Sequence, residues 1–232
     1  MKFADQDKDF YLEVHSATNP NNVYFRIDAD SFIFGPTYLE MKAKVNNNKH
    51  IYGNGERVSP NLFLQEGIYT SWARDIPSPV EDGKPPGKND YGVHPVLFGQ
   101  AKFANESDNS FFAIYNHNAG AQDLRVKHND DEFSTITYQI LGTGIFDFFI
   151  LLDNPNPEMT TLKYHKIIGV PLLPPFWAFG WHQCKYGYNS TQEMIDVYEN
   201  YKKFNFPLDV LWSDIDYMDR WRDFTVATNL TF

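Results

Sequence analysis

Asp214, Ile215 and Asp216 stand where an apolar segment, Leu208 to Ile215, first turns polar. On extended backbone a spacing of two places both carboxylates on one side. Two like charges so close raise the question of an acid/base pair. A plainer role for Asp214 is to accept backbone N–H bonds at a strand-to-loop turn; for Asp216 it is to hold the loop that follows. Upstream, His182 reads as a hydrogen-bonded core histidine and Cys184 as an inert thiol. Cys184 is the single cysteine, so no intrachain disulfide is possible. Metal chemistry finds no support. Asp5-x-Asp7-x-Asp9 opens like a calcium loop, but Phe10 takes the required Gly place and Ser16 the Glu place. His15, His50, His94, His117, His128, His165 and His182 lack paired ligand spacing. No Gly-rich phosphate loop occurs, and neither metal nor cofactor is expected.

The elements that must position these residues fall into two textures. Residues 1–160 read as β structure, with short aromatic and β-branched runs at Asn22–Ile27, Tyr38–Val45, Val96–Phe103, Phe111–Asn116, Phe133–Leu141 and Ile145–Leu152. Glu40-Met41-Lys42-Ala43-Lys44-Val45 alternates as a half-buried strand does. Many short strands with turn signals predict a sandwich. Ile76 to Tyr91, rich in Pro and Gly, is expected to be a long loop. From 161 to 232 the pattern changes. Glu158 to Ile168 reads as a short helix, and Pro171, Pro174 and Pro175 mark a boundary. Phe176 to Trp181 is a continuous apolar run, expected to be a strand buried on both faces. Ser190 to Phe204 is expected to be a helix, with a Ser190/Glu193 capping box and a buried stripe of Met194, Val197, Tyr198 and Tyr201. Leu208 to Ile215 is the next strand. Strand, helix and strand make a βαβ unit, which implies a parallel pair. A closed (β/α)₈ barrel takes about 250 residues, so the chain is expected to be interrupted partway through such a fold.

Composition narrows the partners. A formal net charge of -10 and the lack of a Lys/Arg cluster argue against nucleic acid. No apolar stretch of about 18 residues occurs, so no membrane span is expected. The first residues lack a signal-type apolar run, and sequons at Asn105, Asn189 and Asn229 are too easily met by chance to assign a compartment. Aromatic residues make up 17% of the chain; such rings fill cores and also stack on sugars.

Four stretches resemble glycoside hydrolase family 31: Tyr52-Gly53-Asn54-Gly55-Glu56-Arg57-Val58; Tyr69-Thr70-Ser71-Trp72-Ala73-Arg74-Asp75 followed by Tyr91-Gly92-Val93-His94-Pro95; Leu173 to Tyr188; and Pro207 to Asp219 ending in Arg222-Asp223-Phe224-Thr225. They occur in the family's order. The resemblance implies an antiparallel β-sandwich of galactose-mutarotase type over residues 1–160, then a linker and the first β-α-β unit of a truncated (β/α)₈ TIM barrel over 161–232. Phe176 to Trp181 would be the first barrel strand, and Tyr52 to Val58 a turn.

The same resemblance implies an α-glucosidase-type enzyme, retaining and exo-acting on terminal α-glucosyl residues, with an oligosaccharide or glucoside substrate. Asp214 would accept hydrogen bonds from hydroxyls of the sugar next to the cut, Ile215 would be an apolar wall, and Tyr186 would line the sugar pocket. Asp75, on a loop from the N-terminal domain, would contact the second sugar. Retaining hydrolysis needs two carboxyl groups about 5 Å apart. The family's nucleophile lies in a W-x-D-M-N-E-type motif that this chain lacks, so the catalytic residues are expected downstream of Phe232 and the chain alone is expected to be inactive. The competing reading is a non-catalytic carbohydrate-binding or scaffolding protein; against it stands the apolar strand edge near Leu211 that an unfinished barrel would expose.

Overall fold

The computed structural model describes residues 2–3, 10–47, 50–59, 61–74, 88–103, 110–129, 131–142 and 144–227. The chain divides into two compact units, Met1–Gly169 and Val170–Phe232. Antiparallel sheet dominates and helices are few. No helix among the described residues is long and apolar enough to cross a membrane.

The described residues of the first unit form twelve strands: β1 (Lys2–Phe3), β2 (Tyr11–His15), β3 (Val23–Asp28), β4 (Phe32–Phe34), β5 (Tyr38–Asn46), β6 (Ile51–Arg57), β7 (Gly67–Ser71), β8 (Asn89–Ala101), β9 (Ser110–Asn116), β10 (Gln122–His128), β11 (Phe133–Leu141) and β12 (Phe148–Asn154). An eight-stranded sheet runs β1-β2-β3-β5-β11-β10-β7, with β4 also on β5; a four-stranded sheet runs β12-β9-β8-β6. Alternation decides which face goes in. Leu39, Met41, Ala43 and Val45 of β5 are buried, whereas Glu40, Lys42 and Lys44 between them point out. Their partners across the ladder, Ile136, Tyr138 and Ile140 of β11, are buried likewise. Apolar side chains of both sheets form one core, with Tyr24, Phe25, Met41 and Ile136 from the larger and Ile51, Leu97, Phe112 and Ile114 from the smaller. Each such side chain contributes about 1.5–3 kcal/mol by leaving water.

Two sequence expectations change here. Tyr52 to Val58 is not a turn: Ile51–Arg57 is a strand paired with β8, its register shifting between Gly53 and Gly55 and again before Arg57. Its glycines mark bulges that bend a paired strand rather than a chain reversal. Ile76 to Tyr91 does not run to its end as loop, because β8 begins at Asn89; residues 75–87 lie outside the described residues.

Helix α1 (Pro157–Ile168) follows β12 and lies against β9 and β12. Asn156 caps it by accepting from the Met159 N–H at 2.9 Å, Pro157 opens it, and Gly169 at φ 89° ends it. Tyr164 sets its ring edge-on to Tyr115, 5.3 Å between centroids.

The second unit contains β13 (His182–Cys184), α2 (Thr191–Lys203) and β14 (Val210–Trp212). The strands pair in parallel, His182 opposite Val210 and Cys184 opposite Trp212, so the unit is β-α-β. The expected strand at Phe176 to Trp181 is absent. Phe176–Phe179 is a 3₁₀ turn, closed by Ala178 N–H to Pro175 O at 2.9 Å and Gly180 N–H to Trp177 O at 3.0 Å. Pro174 and Pro175 have no N–H for a ladder, and the run is not buried: Phe176 is 93% exposed. The second expected strand is shorter than Leu208 to Ile215, since Asp214–Tyr217 forms another 3₁₀ turn.

Helix α2 spans the expected residues. Ser190 Oγ accepts from Glu193 N–H at 3.2 Å; Glu193 reaches back one residue further than a capping box does, to Asn189 N–H at 3.0 Å. Its stripe is only half-buried at Met194, Val197 and Tyr201, and Tyr198 is 49% exposed.

Candidate functional site

Parallel pairing sends β13 and β14 in one direction, so the loops leaving their carboxyl ends emerge side by side. These ends are where parallel α/β folds gather ligand-binding residues. The first loop carries Lys185 to Asn189 and the second begins at Ser213.

Asp214 does not continue the strand. Its backbone turns into the left-handed region at φ 57°, which Asp tolerates better than most residues because its short side chain bonds locally. One carboxylate oxygen accepts from Ile215 N–H at 2.7 Å and the other faces the Cys184 thiol at 3.8 Å. A carboxylate offers about four acceptor positions, so half of that capacity is open on a half-buried group. Asp216 is committed elsewhere: its Oδ2 accepts from Gly187 N–H at 2.7 Å. The two carboxylates therefore do not share one side of a strand, as a spacing of two implied, because 3₁₀ backbone replaces extended backbone at Asp214. Asp216 fastens the loop that precedes it in the chain, after β13, rather than the one that follows. Gly187 sits at φ 100°, a region that suits glycine.

Tyr186 stands on that fastened loop, 63% exposed, its hydroxyl without a partner among the described residues. Ile215 is 39% exposed beside Asp214. Asp214, Ile215 and Tyr186 thus share the edge formed by the two strand ends, while Asp75 lies outside the described residues.

Polar contacts hold this edge from behind. His182 accepts at Nδ1 from Trp212 Nε1 at 2.9 Å and meets Ala178 O at 3.1 Å through Nε2, so both nitrogens are used. Trp181 Nε1 donates to Tyr201 Oη at 2.9 Å, Tyr201 donates to Gln183 Oε1 at 2.6 Å, and Gln183 Nε2 donates to the buried Tyr188 Oη at 3.2 Å. The Asn189 N–H, aided by Lys185 Nζ at 3.1 Å, holds the Glu193 carboxyl below its ordinary range. Past Asp216, Asp219 pairs with Arg222, and Thr225 Oγ1 accepts from Asp219 N–H at 2.9 Å while donating to Arg222 O at 2.6 Å. Among the described residues no three His, Cys, Asp or Glu side chains converge as metal ligands would.

In the first unit the separate stretches 52–58, 69–74 and 91–95 are neighbours. Glu56 Oε2 accepts from Gly92 N–H at 2.8 Å. Arg57 donates to Asn54 O at 2.9 Å and to Thr70 O, with its guanidinium 5.5 Å from the Tyr69 ring centre. Burial brings its pKa down to about 10. Gly53, at φ 99°, has no room for a side chain: a Cβ there would come within 2.3 Å of Val96 O. Arg57 and Glu56 tie these stretches together, a role the sequence does not announce, since a charged pair in a Gly-rich segment reads as solvated turn.

Residues 171–232 match the sequence profile of the glycosyl hydrolases family 31 TIM-barrel domain. The probable alpha/beta-glucosidase agdC of Aspergillus flavus is 33% identical over 228 residues, covering 97% of this chain and 24% of that protein. Glucoamylase 1 of Candida albicans is 32% identical over 225 residues, covering 97% and 22%. Among solved structures, a Tris-bound glucosidase II alpha subunit superposes with a TM-score of 0.74 at 20% identity, over 94% of this chain and 27% of that one. A cycloalternan-degrading enzyme from Trueperella pyogenes gives 0.59 at 14% identity, over 82% and 25%. The structural likenesses speak to fold alone. The chain spans about a quarter of the length of the curated relatives it matches.

Proposed function

We infer, for a chain that belongs to glycosyl hydrolase family 31, that it frames the substrate of an α-glucosidase-type enzyme whose bond-breaking carboxylates lie elsewhere in a longer protein. On this reading residues 1–160 are a β-sandwich of galactose-mutarotase type, with α1 packed against it, and the β-α-β unit opens a (β/α)₈ barrel. The substrate is a glucoside or oligosaccharide presenting a terminal α-glucosyl residue, cleaved with retention. The observation that carries the reading is the half-used carboxylate of Asp214 at the carboxyl end of a parallel pair, flanked by exposed Tyr186 and Ile215.

An ionised carboxylate with open lone pairs accepts sugar hydroxyls strongly, because a charged acceptor makes shorter and stronger bonds than a neutral one. Tyr186 offers a flat face against the apolar side of a pyranose, and Ile215 excludes water beside it. Asp216 keeps the Tyr186 loop in place through Gly187. The resemblance assigns Asp75 to the second sugar. Asp214 and Asp216 are not assigned as the retaining pair: each is engaged by a different backbone amide, Ile215 N–H and Gly187 N–H, and the resemblance puts the nucleophile in another motif.

The test is hydrolysis of an aryl α-glucoside by the protein encoded by the complete reading frame, beside residues 1–232 alone. Activity is expected only in the former. Asp214→Ala should lower kcat/KM there by two orders of magnitude or more, about 2.7 kcal/mol of transition-state binding, with the unfolding midpoint unchanged. Turnover by residues 1–232 alone, or near-normal activity of Asp214→Ala, would overturn the assignment.

A further inference from the structure

The outward face of the larger sheet carries a second constellation that the site above does not use. Ladder registers place Glu40 opposite Gln139, Gln139 opposite Asp123, and Asp123 opposite Thr70, one polar row across β5, β11, β10 and β7. Next to it runs an apolar row: Tyr38 opposite Leu141, then Ala121, bonded to Leu141 N–H at 2.8 Å, then Trp72 just past β7. Trp72 is 58% exposed and Leu141 is 56% exposed. Apart from Glu40, the residues of the two rows line a cavity of about 270 Å³. Trp72 and Ala121 also border a neighbouring cavity of about 580 Å³, reaching to Tyr115, His117 and Asn118. The two cavities thus share Trp72 and Ala121 in their walls and together fall in the size range of ligand clefts.

We propose that this pair of cavities is a second carbohydrate-binding site, taking a linear α-glucan chain across Trp72. The choice of an α-glucan rests on the function inferred above; the geometry itself asks only for a neutral, polyhydroxylated ligand with apolar ring faces. Acceptors dominate the polar row. Gln139 spends its amide N–H bonds on Tyr38 Oη at 3.0 Å and Glu40 Oε2 at 2.9 Å, which leaves its carbonyl facing outward demand. Tyr38 also donates to Glu40, and these two donors hold the Glu40 carboxylate in its charged form. The Asp123 carboxylate and the Thr70 hydroxyl have no hydrogen-bond partner among the described residues. Sugar hydroxyls supply the donors such a row needs. Two carboxylates beside the indole disfavour phosphate ligands, and a single aromatic wall is not the cage that a quaternary ammonium selects. Tyr38, Glu40, Thr70, Asp123, Gln139 and Leu141 stand on paired strands, and Trp72 follows β7 directly, so most of the surface is ordered before the ligand arrives.

The test is titration of the whole 232-residue chain with maltoheptaose by isothermal calorimetry, beside Trp72→Ala, Asp123→Asn and Asp214→Asn. Saturable binding is expected, weakened tenfold or more by Trp72→Ala and severalfold by Asp123→Asn, and kept by Asp214→Asn. Should Trp72→Ala lose its native circular dichroism, Thr70→Val and Gln139→Ala decide instead, each with a severalfold loss expected. Absence of saturable binding overturns the proposal, as does binding that vanishes in Asp214→Asn but survives in the sheet-face variants. In the complete protein Trp72→Ala should leave aryl α-glucoside hydrolysis unchanged. Loss of maltoheptaose binding with aryl hydrolysis intact therefore separates this site from the catalytic reading, which fails or stands on the aryl substrate alone.

Discussion

Gly180 lies where a side chain cannot. A Cβ built there would fall 2.2 Å from both Cγ and Oδ2 of Asp209 and 2.7 Å from its Cβ. Asp209 Oδ2 accepts from Trp181 N–H at 2.9 Å, and Asp209 and Val210 donate their own N–H groups to Trp181 O at 3.0 and 3.1 Å. This knot joins the amino ends of β13 and β14, and so sets the register that brings Cys184 to Asp214 at the other end. In Gly180→Ala the Asp209 side chain must leave. The lost bond to a charged acceptor costs about 1.5–3 kcal/mol, and crowding against the backbone adds about 1–3 kcal/mol. Gly180 itself has φ -78°, so alanine carries no backbone strain and gains about 0.4–1 kcal/mol by restricting the unfolded chain. The net is a loss of about 1.5–5.5 kcal/mol. The background should change this cost in order. With Asp209→Ala the carboxylate is gone but a 2.7 Å Cβ contact stays, so the penalty falls partway. With Asp209→Gly the contact disappears, and Gly180→Ala becomes neutral or slightly stabilising. Urea unfolding followed by tryptophan fluorescence reads the right unit, since Trp177, Trp181, Trp212 and Trp221 lie in it and only Trp72 does not. An equal cost in all three backgrounds would refute the coupling, because independent sites add.

Asp216→Ala removes the anchor of the Tyr186 loop and should lower kcat/KM of the complete protein tenfold or more; Asp216→Asn, which keeps an acceptor oxygen for Gly187 N–H, should restore most of it. Gly99 faces Phe112 across the ladder, and a Cβ there would meet the ring at 2.2 Å; Gly99→Ala should lower the urea midpoint by an amount equivalent to about 1–3 kcal/mol. The Tyr138 hydroxyl is buried without a hydrogen-bond partner among the described residues, and burial pushes its pKa up. The neutral phenol is thus favoured in the fold: stability is complete below the unfolded phenol value near 10 and declines as pH rises above it. Tyr138→Phe should stabilise by about 1 kcal/mol and flatten that alkaline decline in unfolding midpoints measured from pH 8 to 11.

Where one face of a strand meets water and the other meets the core, the sequence pattern carries the fold. Glu40, Lys42 and Lys44 point out while Met41, Ala43 and Val45 point in, so the alternation of β5 was readable. β10 alternates too, but with only Leu124 and Val126 as fully apolar inward positions; a strand that short in apolar residues does not rise above loop. The Phe176 to Trp181 run misled for the opposite reason. Apolar continuity reports that a segment avoids water on average across a family of folds, and says nothing of backbone state. The prolines before it decided that state by withholding donors.

The candidate site divides along the same line. That Asp214, Ile215 and Tyr186 would meet at one edge followed from topology, because any parallel βαβ unit brings its two carboxyl ends together. What topology could not convey is how each carboxylate is spent. A spacing of two carries both acids to one side only while the backbone stays extended, and at Asp214 φ changes sign. That single reversal splits the pair: Asp216 turns to the Gly187 amide, while Asp214 bonds Ile215 N–H and faces the Cys184 thiol. The signal for it lies in no spacing rule, since the turn at Asp214 is held by its own bond to Ile215 N–H and faces the Cys184 thiol of the neighbouring strand. On the proposed reading Asp214 is the binding carboxylate, and it is tertiary structure that sets its carboxylate against Ile215 N–H and the Cys184 thiol while Asp216 holds Gly187.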